Sequence, residues 1–157
     1  MTDNKYGHKN SKVYECMAKH FTSRFDSKNN EKIFITAPQF KDKYGIVKFY
    51  APWCGHCSDM VDSLEYLANE LPNMGKPFYI AAVNCTNKSV GNDLLASKMG
   101  IRGFPTLFFA NLEGELESFN PQSRSIEGIL AEICDCTKKY NSNNTCCSYS
   151  NNKLECN

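Results

Sequence analysis

The sequence predicts an α/β domain: a central mixed sheet with helices on both faces, preceded by an N-terminal helix and followed by a Cys-rich tail. Three observations lead there. Apolar runs of strand length alternate with stretches of helical periodicity between residues 31 and 134. One of those runs (Ile46, Val47, Phe49, Tyr50, Ala51) passes straight into Trp53-Cys54-Gly55-His56-Cys57 and from there into a helical pattern. Beyond Cys134 the chain is rich in Asn, Ser and Cys and poor in aliphatics, so the tail cannot bury a core of its own.

Each element has a local reason. Residues 1–10 are polar and read as a disordered arm. Over residues 11–25, Val13, Tyr14, Met17, Ala18, Phe21 and Phe25 keep helical spacing, with Ser11 as a cap, which predicts a helical extension over 11–30. Residues 33–36 form a short strand, and 37–42 hold barely one helical turn. Residues 46–50 compose a central strand buried on both faces. A helix is expected over 54–71, with Met60, Leu64, Leu67, Ala68 and Leu71 on its inner side, then a strand at 78–83 and a helix near 91–99. Residues 106–110 and 115–119 read as a hairpin around Glu113-Gly114, and 125–134 as the closing helix. This order combines a crossover unit with an antiparallel hairpin, so 31–134 is one domain and 135–157 its tail.

Composition excludes several classes. The net charge is +1, with acids and bases mixed along the chain, so nothing points to a nucleic-acid surface. No apolar run approaches membrane-spanning length. The start lacks the apolar stretch of a signal peptide, and Leu154-Glu155-Cys156-Asn157 is no retention signal. Nine cysteines are nevertheless many for a reducing compartment. Three explanations stand: a missing leader and a secretory setting, extra thiols that stay reduced or bind metal, or a disulfide-forming system that works without secretion, as in large cytoplasmic DNA viruses. A cytoplasmic or viral setting is the favoured expectation.

The chemistry is carried by Cys54 and Cys57. Cys54 falls at the head of a helix, where unpaired N–H groups favour a negative charge, and the thiolate is the nucleophile. Cys57 comes nearly one turn later, close enough to resolve a mixed disulfide. His56 tunes the pair: a cationic imidazole beside the Cys54 thiolate stabilises the reduced form and makes the disulfide a better oxidant. Neither sulfur needs a metal or an organic cofactor, because both electrons reside in the pair.

The stretch Phe49-Tyr50-Ala51-Pro52-Trp53-Cys54-Gly55-His56-Cys57 resembles the active site of the protein disulfide isomerase family within the thioredoxin superfamily, and Gly100-Ile101-Arg102-Gly103-Phe104-Pro105-Thr106 resembles its second signature. The resemblance covers about residues 32–133. It implies the thioredoxin fold, a cis peptide bond before Pro105, and a loop in which Gly103 and Phe104 offer backbone to an extended substrate. Trp53 and Tyr50 are expected beside the dithiol, framing an apolar surface, although plain core packing suits Tyr50 equally. Arg124 aligns with a family arginine that eases ionisation of the resolving thiol, and reads equally as an ordinary exposed arginine. Gly-His between the cysteines resembles oxidases and isomerases rather than reductases.

Two positions depart from the family. Its buried acid, six residues before the first cysteine, is Lys48 here, and the lysine that pairs with that acid is Ala82. Lys48 is either a neutral amine that accepts the Cys57 proton or a strand lysine reaching solvent, the simpler expectation. Asp62 replaces a helix-kinking proline, which predicts a straighter helix. Of the other cysteines, Cys85 reads as a core thiol. Cys16, Cys134, Cys136, Cys146, Cys147 and Cys156 are candidates for structural disulfides, ahead of zinc or free thiols, with a pairing that spacing does not reveal.

The resulting expectation is a thiol-disulfide oxidoreductase that forms or isomerises disulfides in protein substrates carrying thiols or disulfides, recharged by a separate thiol oxidase. A reductase and a non-catalytic, disulfide-linked binding module are the alternatives.

Overall fold

Ile46, Val47, Phe49 and Tyr50 have no solvent exposure, so the strand that carries them needs cover on both faces. A computed structural model describes residues 10–144 and 146–156; the arm expected over 1–10 lies, apart from Asn10, outside the described residues. In chain order the elements are β1 (Tyr14–Glu15), β2 (Phe21–Phe25), β3 (Glu31–Ile35), β4 (Tyr44–Tyr50), α1 (Gly55–Ser58), α2 (Val61–Asn73), β5 (Phe78–Asn84), α3 (Asn92–Lys98), β6 (Thr106–Ala110), β7 (Leu116–Ser118), α4 (Ile126–Tyr140), β8 (Cys147–Ser150) and β9 (Lys153–Cys156). The main sheet runs β1-β5-β4-β6-β7. β1 and β4 pair parallel with β5, whereas β6 is antiparallel to β4 and β7 to β6.

Side chains alternate across this sheet and build two cores. On one face Ile46, Tyr50, Ile80 and Phe109 meet Met60, Leu64 and Leu67 of the α1–α2 region and Ile129 and Ile133 of α4. On the other, Val47, Phe49 and Tyr79 meet Phe21, Ile35 and Ala96, so α3 and the separate β2–β3 hairpin close that side. Ser125 starts α4 by accepting from Gly128 N at 3.1 Å. Among the described residues no helix is long and apolar enough to cross a membrane.

The structure corrects four expectations. Residues 11–25 are not a helix. They form β1, a single turn over Ala18–His20, and β2. A short isolated helix is marginal, whereas the open edge of β5 offers hydrogen bonds, and Cys16 N–H donates to Ala82 O at 2.8 Å. Ser11 caps nothing; its hydroxyl donates to Glu65 at 2.7 Å. The helix over 54–71 is not straighter but interrupted at Asp59 and Met60. The Cys57 carbonyl at that break accepts from Lys48 Nζ (2.7 Å) and Met60 N (3.3 Å), a side chain inserted into the helical ladder. Finally, the closing helix, expected over 125–134, continues to Tyr140.

The tail is a hairpin, β8–β9, laid over the helical face: Leu154 joins that core, and Tyr149 meets Tyr66 edge-on with ring centres 5.5 Å apart. Disulfides Cys134–Cys146 and Cys147–Cys156 fasten it. Cys16 and Cys136, expected among the bridged cysteines, are free buried thiols. Cys16 points into the core opposite the tail, out of reach of tail sulfurs, and Cys136 turns inward from α4.

Candidate active site

Cys54 caps α1: its sulfur accepts from Cys57 N at 3.1 Å, so the first turn of the helix aims a backbone donor at the thiol. The same sulfur lies 3.4 Å from Phe104 O. Phe104–Pro105 is a cis peptide bond, and the loop carrying it faces the dithiol. Cys54 keeps a 6% exposed edge and Cys57 none, which ranks them as outer and inner sulfur. Both are free thiols.

The surroundings are asymmetric. Trp53 stands 73% exposed, its ring 5.8 Å from that of Phe104 in an edge-on arrangement, and Gly103 beside it is exposed. Together they make a shallow apolar rim on the outer side of Cys54. His56 sits on the exposed side of α1 with Nδ1 4.0 Å from an Asp59 oxygen. Arg124 is exposed, and its charge acts on Lys48 beneath the dithiol. Tyr50 is core, not rim: it has no exposure, and its hydroxyl donates to Glu15 Oε1 at 2.6 Å.

Beneath the sulfurs the lysine does not reach solvent as expected. Lys48 is fully buried, held there because its strand is covered on both faces, and its Nζ ends on the Cys57 carbonyl. Burial lowers its pKa to about 8, the Cys57 and Cys54 sulfurs and Glu15 acting against that fall and Arg124 with it. Burial and the hydrogen bond with Cys54 raise the Cys57 thiol to about 11, and Lys48 opposes that rise. Away from the site, burial pushes Cys16 and Cys85 up to about 12 and Cys136 to about 11, so these thiols stay protonated and inert.

Sequence reasoning brought together Trp53, Cys54, Cys57, Phe104 and Pro105 as the structure does, but it missed Glu15. The signal was an acid inside the apolar stretch Val13-Tyr14-Glu15-Cys16, obscured by the helical reading.

Residues 25–134 match the thioredoxin family model. Among curated relatives, a protein disulfide-isomerase of Datisca glomerata is 32% identical over 116 residues, covering 74% of this chain and 22% of its own length. Protein disulfide-isomerase 1 of Dictyostelium discoideum is 43% identical over 94 residues, covering 59% of this chain and 25% of its own length. This chain therefore spans a quarter or less of those relatives. Among solved structures, the J-Trx1 fragment of ERdj5 is similar with a TM-score of 0.50 and 26% identity over 62% of this chain and 43% of that one. Form II of ERdj5 gives a TM-score of 0.53 at 19% identity over 82% of this chain and 14% of that one, a likeness of fold.

Proposed function

The chain belongs to the thioredoxin family, and from that premise we propose that it is a thiol-disulfide oxidoreductase that forms or isomerises disulfide bonds in protein substrates through Cys54 and Cys57. One observation carries the reading: the slightly exposed Cys54 sulfur lies between the Cys57 N–H and the Phe104 carbonyl, with the inner sulfur three residues away and shielded.

In the oxidising direction a substrate thiolate attacks Cys54 Sγ of the Cys54–Cys57 disulfide. That bond breaks, a substrate–Cys54 disulfide forms, and Cys57 leaves as a thiolate and takes a proton. A second substrate thiolate then attacks the substrate sulfur of the mixed disulfide and expels Cys54 as a thiolate. Two electrons pass from substrate to protein, and a separate thiol oxidase takes them away. In isomerisation the Cys54 thiolate attacks a substrate disulfide, and either a substrate thiolate or Cys57 displaces it. His56 supports the oxidising direction by stabilising the Cys54 thiolate when protonated, and Trp53 with Phe104 gives unfolded substrate an apolar place to rest. Two disulfides in its own tail are in keeping with a setting that makes such bonds.

Refolding of a scrambled, fully oxidised protein substrate tests this. The chain should restore native pairing catalytically, and Cys54→Ser should not. Equal recovery with and without the Cys54 sulfur would end the proposal.

A further inference from the structure

We propose that Glu15, contributed by β1, is the counter-group that keeps Lys48 charged beside the inner thiol, so that a Lys48–Cys57 pair, rather than Cys57 alone, sets the pH at which mixed disulfides are resolved. This rests on the exchange reading above.

The placement comes from the sheet. Glu15 pairs in register with Ala82, and Ala82 with Lys48, so the three side chains form one row on the face that carries the dithiol. Two strand spacings separate the ends of that row by about 10 Å at the backbone, and Ala82, between them, is too small to fill the gap. Lys48 and Tyr50 alternate along one strand and so share the face of that row. Lys48 Nζ lies 5.8 Å from the centre of the Tyr50 ring, and the Tyr50 hydroxyl donates to Glu15 at 2.6 Å. A tether to the Cys57 carbonyl thus holds one end of the lysine under the sulfurs, while a tyrosine-bound carboxylate lies across the row.

Several charged and titratable groups act on Lys48. From α1 come Cys54 and Cys57, from β1 Glu15, and from the segment before α4 Arg124; its strand neighbours Ala82 and Leu107 are uncharged. Glu15 and the sulfurs favour the ammonium, and burial and Arg124 oppose it. Removing one proton from the pair leaves either a neutral amine beside a thiol or an ammonium beside a thiolate. These forms hold the same number of protons, and the second attacks. A charged Lys48 therefore supplies Cys57 thiolate at a lower pH than a shielded thiol reaches by itself. Lys48 and Glu15 are positioning residues: neither touches substrate.

The test follows resolution as a function of pH in the full chain. A dithiobis-nitrobenzoate reagent gives two releases of thionitrobenzoate. The first comes as Cys54 forms the mixed disulfide. The second comes as the Cys57 thiolate attacks Cys54 Sγ, forming the Cys54–Cys57 disulfide. The midpoint of the second release should rise by about one pH unit or more in Lys48→Met and in Lys48→Gln, where Gln keeps a donor for the Cys57 carbonyl but no charge. It should rise by about half a unit in Glu15→Gln, and that effect should vanish in the Lys48→Met background. A Lys48→Gln midpoint equal to that of the unaltered chain, or a Glu15 effect that persists without Lys48, would overturn the assignment. Where a Lys48 variant does not fold, Glu15→Gln at its half-buried site decides, and an unmoved midpoint rejects the proposal. Absence of any second release from the unaltered chain would instead strike at the exchange reading itself.

Discussion

Lys48 Nζ donates to the Cys57 carbonyl across 2.7 Å, so the buried lysine of the central strand is fastened to the residue that completes the dithiol. The bond has a structural and an electrostatic consequence. It occupies a carbonyl at the break between α1 and α2, and it places an amine of lowered pKa next to a thiol of raised pKa.

Cys57→Ser should leave Cys54 able to attack but unable to release, so substrate proteins accumulate as mixed disulfides. Cys54→Ser should trap none. Non-reducing electrophoresis followed by mass mapping reads both. Equal trapping by the two variants would reverse the assignment of outer and inner sulfur drawn from their exposures of 6% and 0%.

His56→Pro should make the disulfide a weaker oxidant, because an exposed imidazole that can carry charge is lost from the turn between the sulfurs. Equilibration with glutathione, followed through Trp53, the chain's single tryptophan, should show a shift of at least about tenfold toward the disulfide form, which is roughly 30 mV for a two-electron couple. A constant unchanged within twofold would remove His56 from the tuning of the pair.

Stability should fall in alkali. Cys16, Cys85 and Cys136 have folded-state pKa values raised from 9.0 to about 12, 12 and 11, so their contribution is complete below about pH 9 and is lost as pH rises through the folded values. Lys48 has the opposite sign. Its value falls from 10.5 to about 8, so stability from its neutral form grows over that interval. At about 1.4 kcal/mol per unit, three thiols outweigh one amine. Urea midpoints should therefore decline from about pH 9 upward, less steeply in Cys16→Ala. A midpoint constant to about pH 11 would contradict the burial of these thiols.

Cys134→Ser should destabilise the oxidised chain by about 3 kcal/mol, the loop-closure contribution of a bridge of this span. Denaturant unfolding with and without reductant measures it. The variant's loss should disappear once the unaltered chain is itself reduced. A loss of the same size under reducing conditions would mean that packing of residue 134, and not the bridge, holds the tail.

The dithiol was legible because its parts are adjacent in sequence: a both-faces-buried run, two cysteines three apart, and a helical pattern fix Cys54 and Cys57 with no long-range information. The Phe104–Pro105 loop was legible through resemblance, and the structure places its carbonyl 3.4 Å from Cys54. The N-terminal segment was misread because Val13, Tyr14, Met17 and Phe21 satisfy a helical period while the open edge of β5 offers backbone partners that periodicity does not record. The same oversight hid Glu15, whose meaning depends on lying in one row with Ala82 and Lys48.

The order of residues by itself determined the placement of the Cys54–Cys57 dithiol, the strand that precedes it and the sandwich of sheet between helices, since these follow from local spacing and from burial of apolar side chains. Only the tertiary structure decided that Lys48 turns inward, that Glu15 shares its row with one strand between them, and which tail sulfurs join. Those outcomes depend on distances between residues far apart in the chain. They are settled when the sheet closes and water is excluded, because a buried charge must then find its partners among whatever groups the packing brings near.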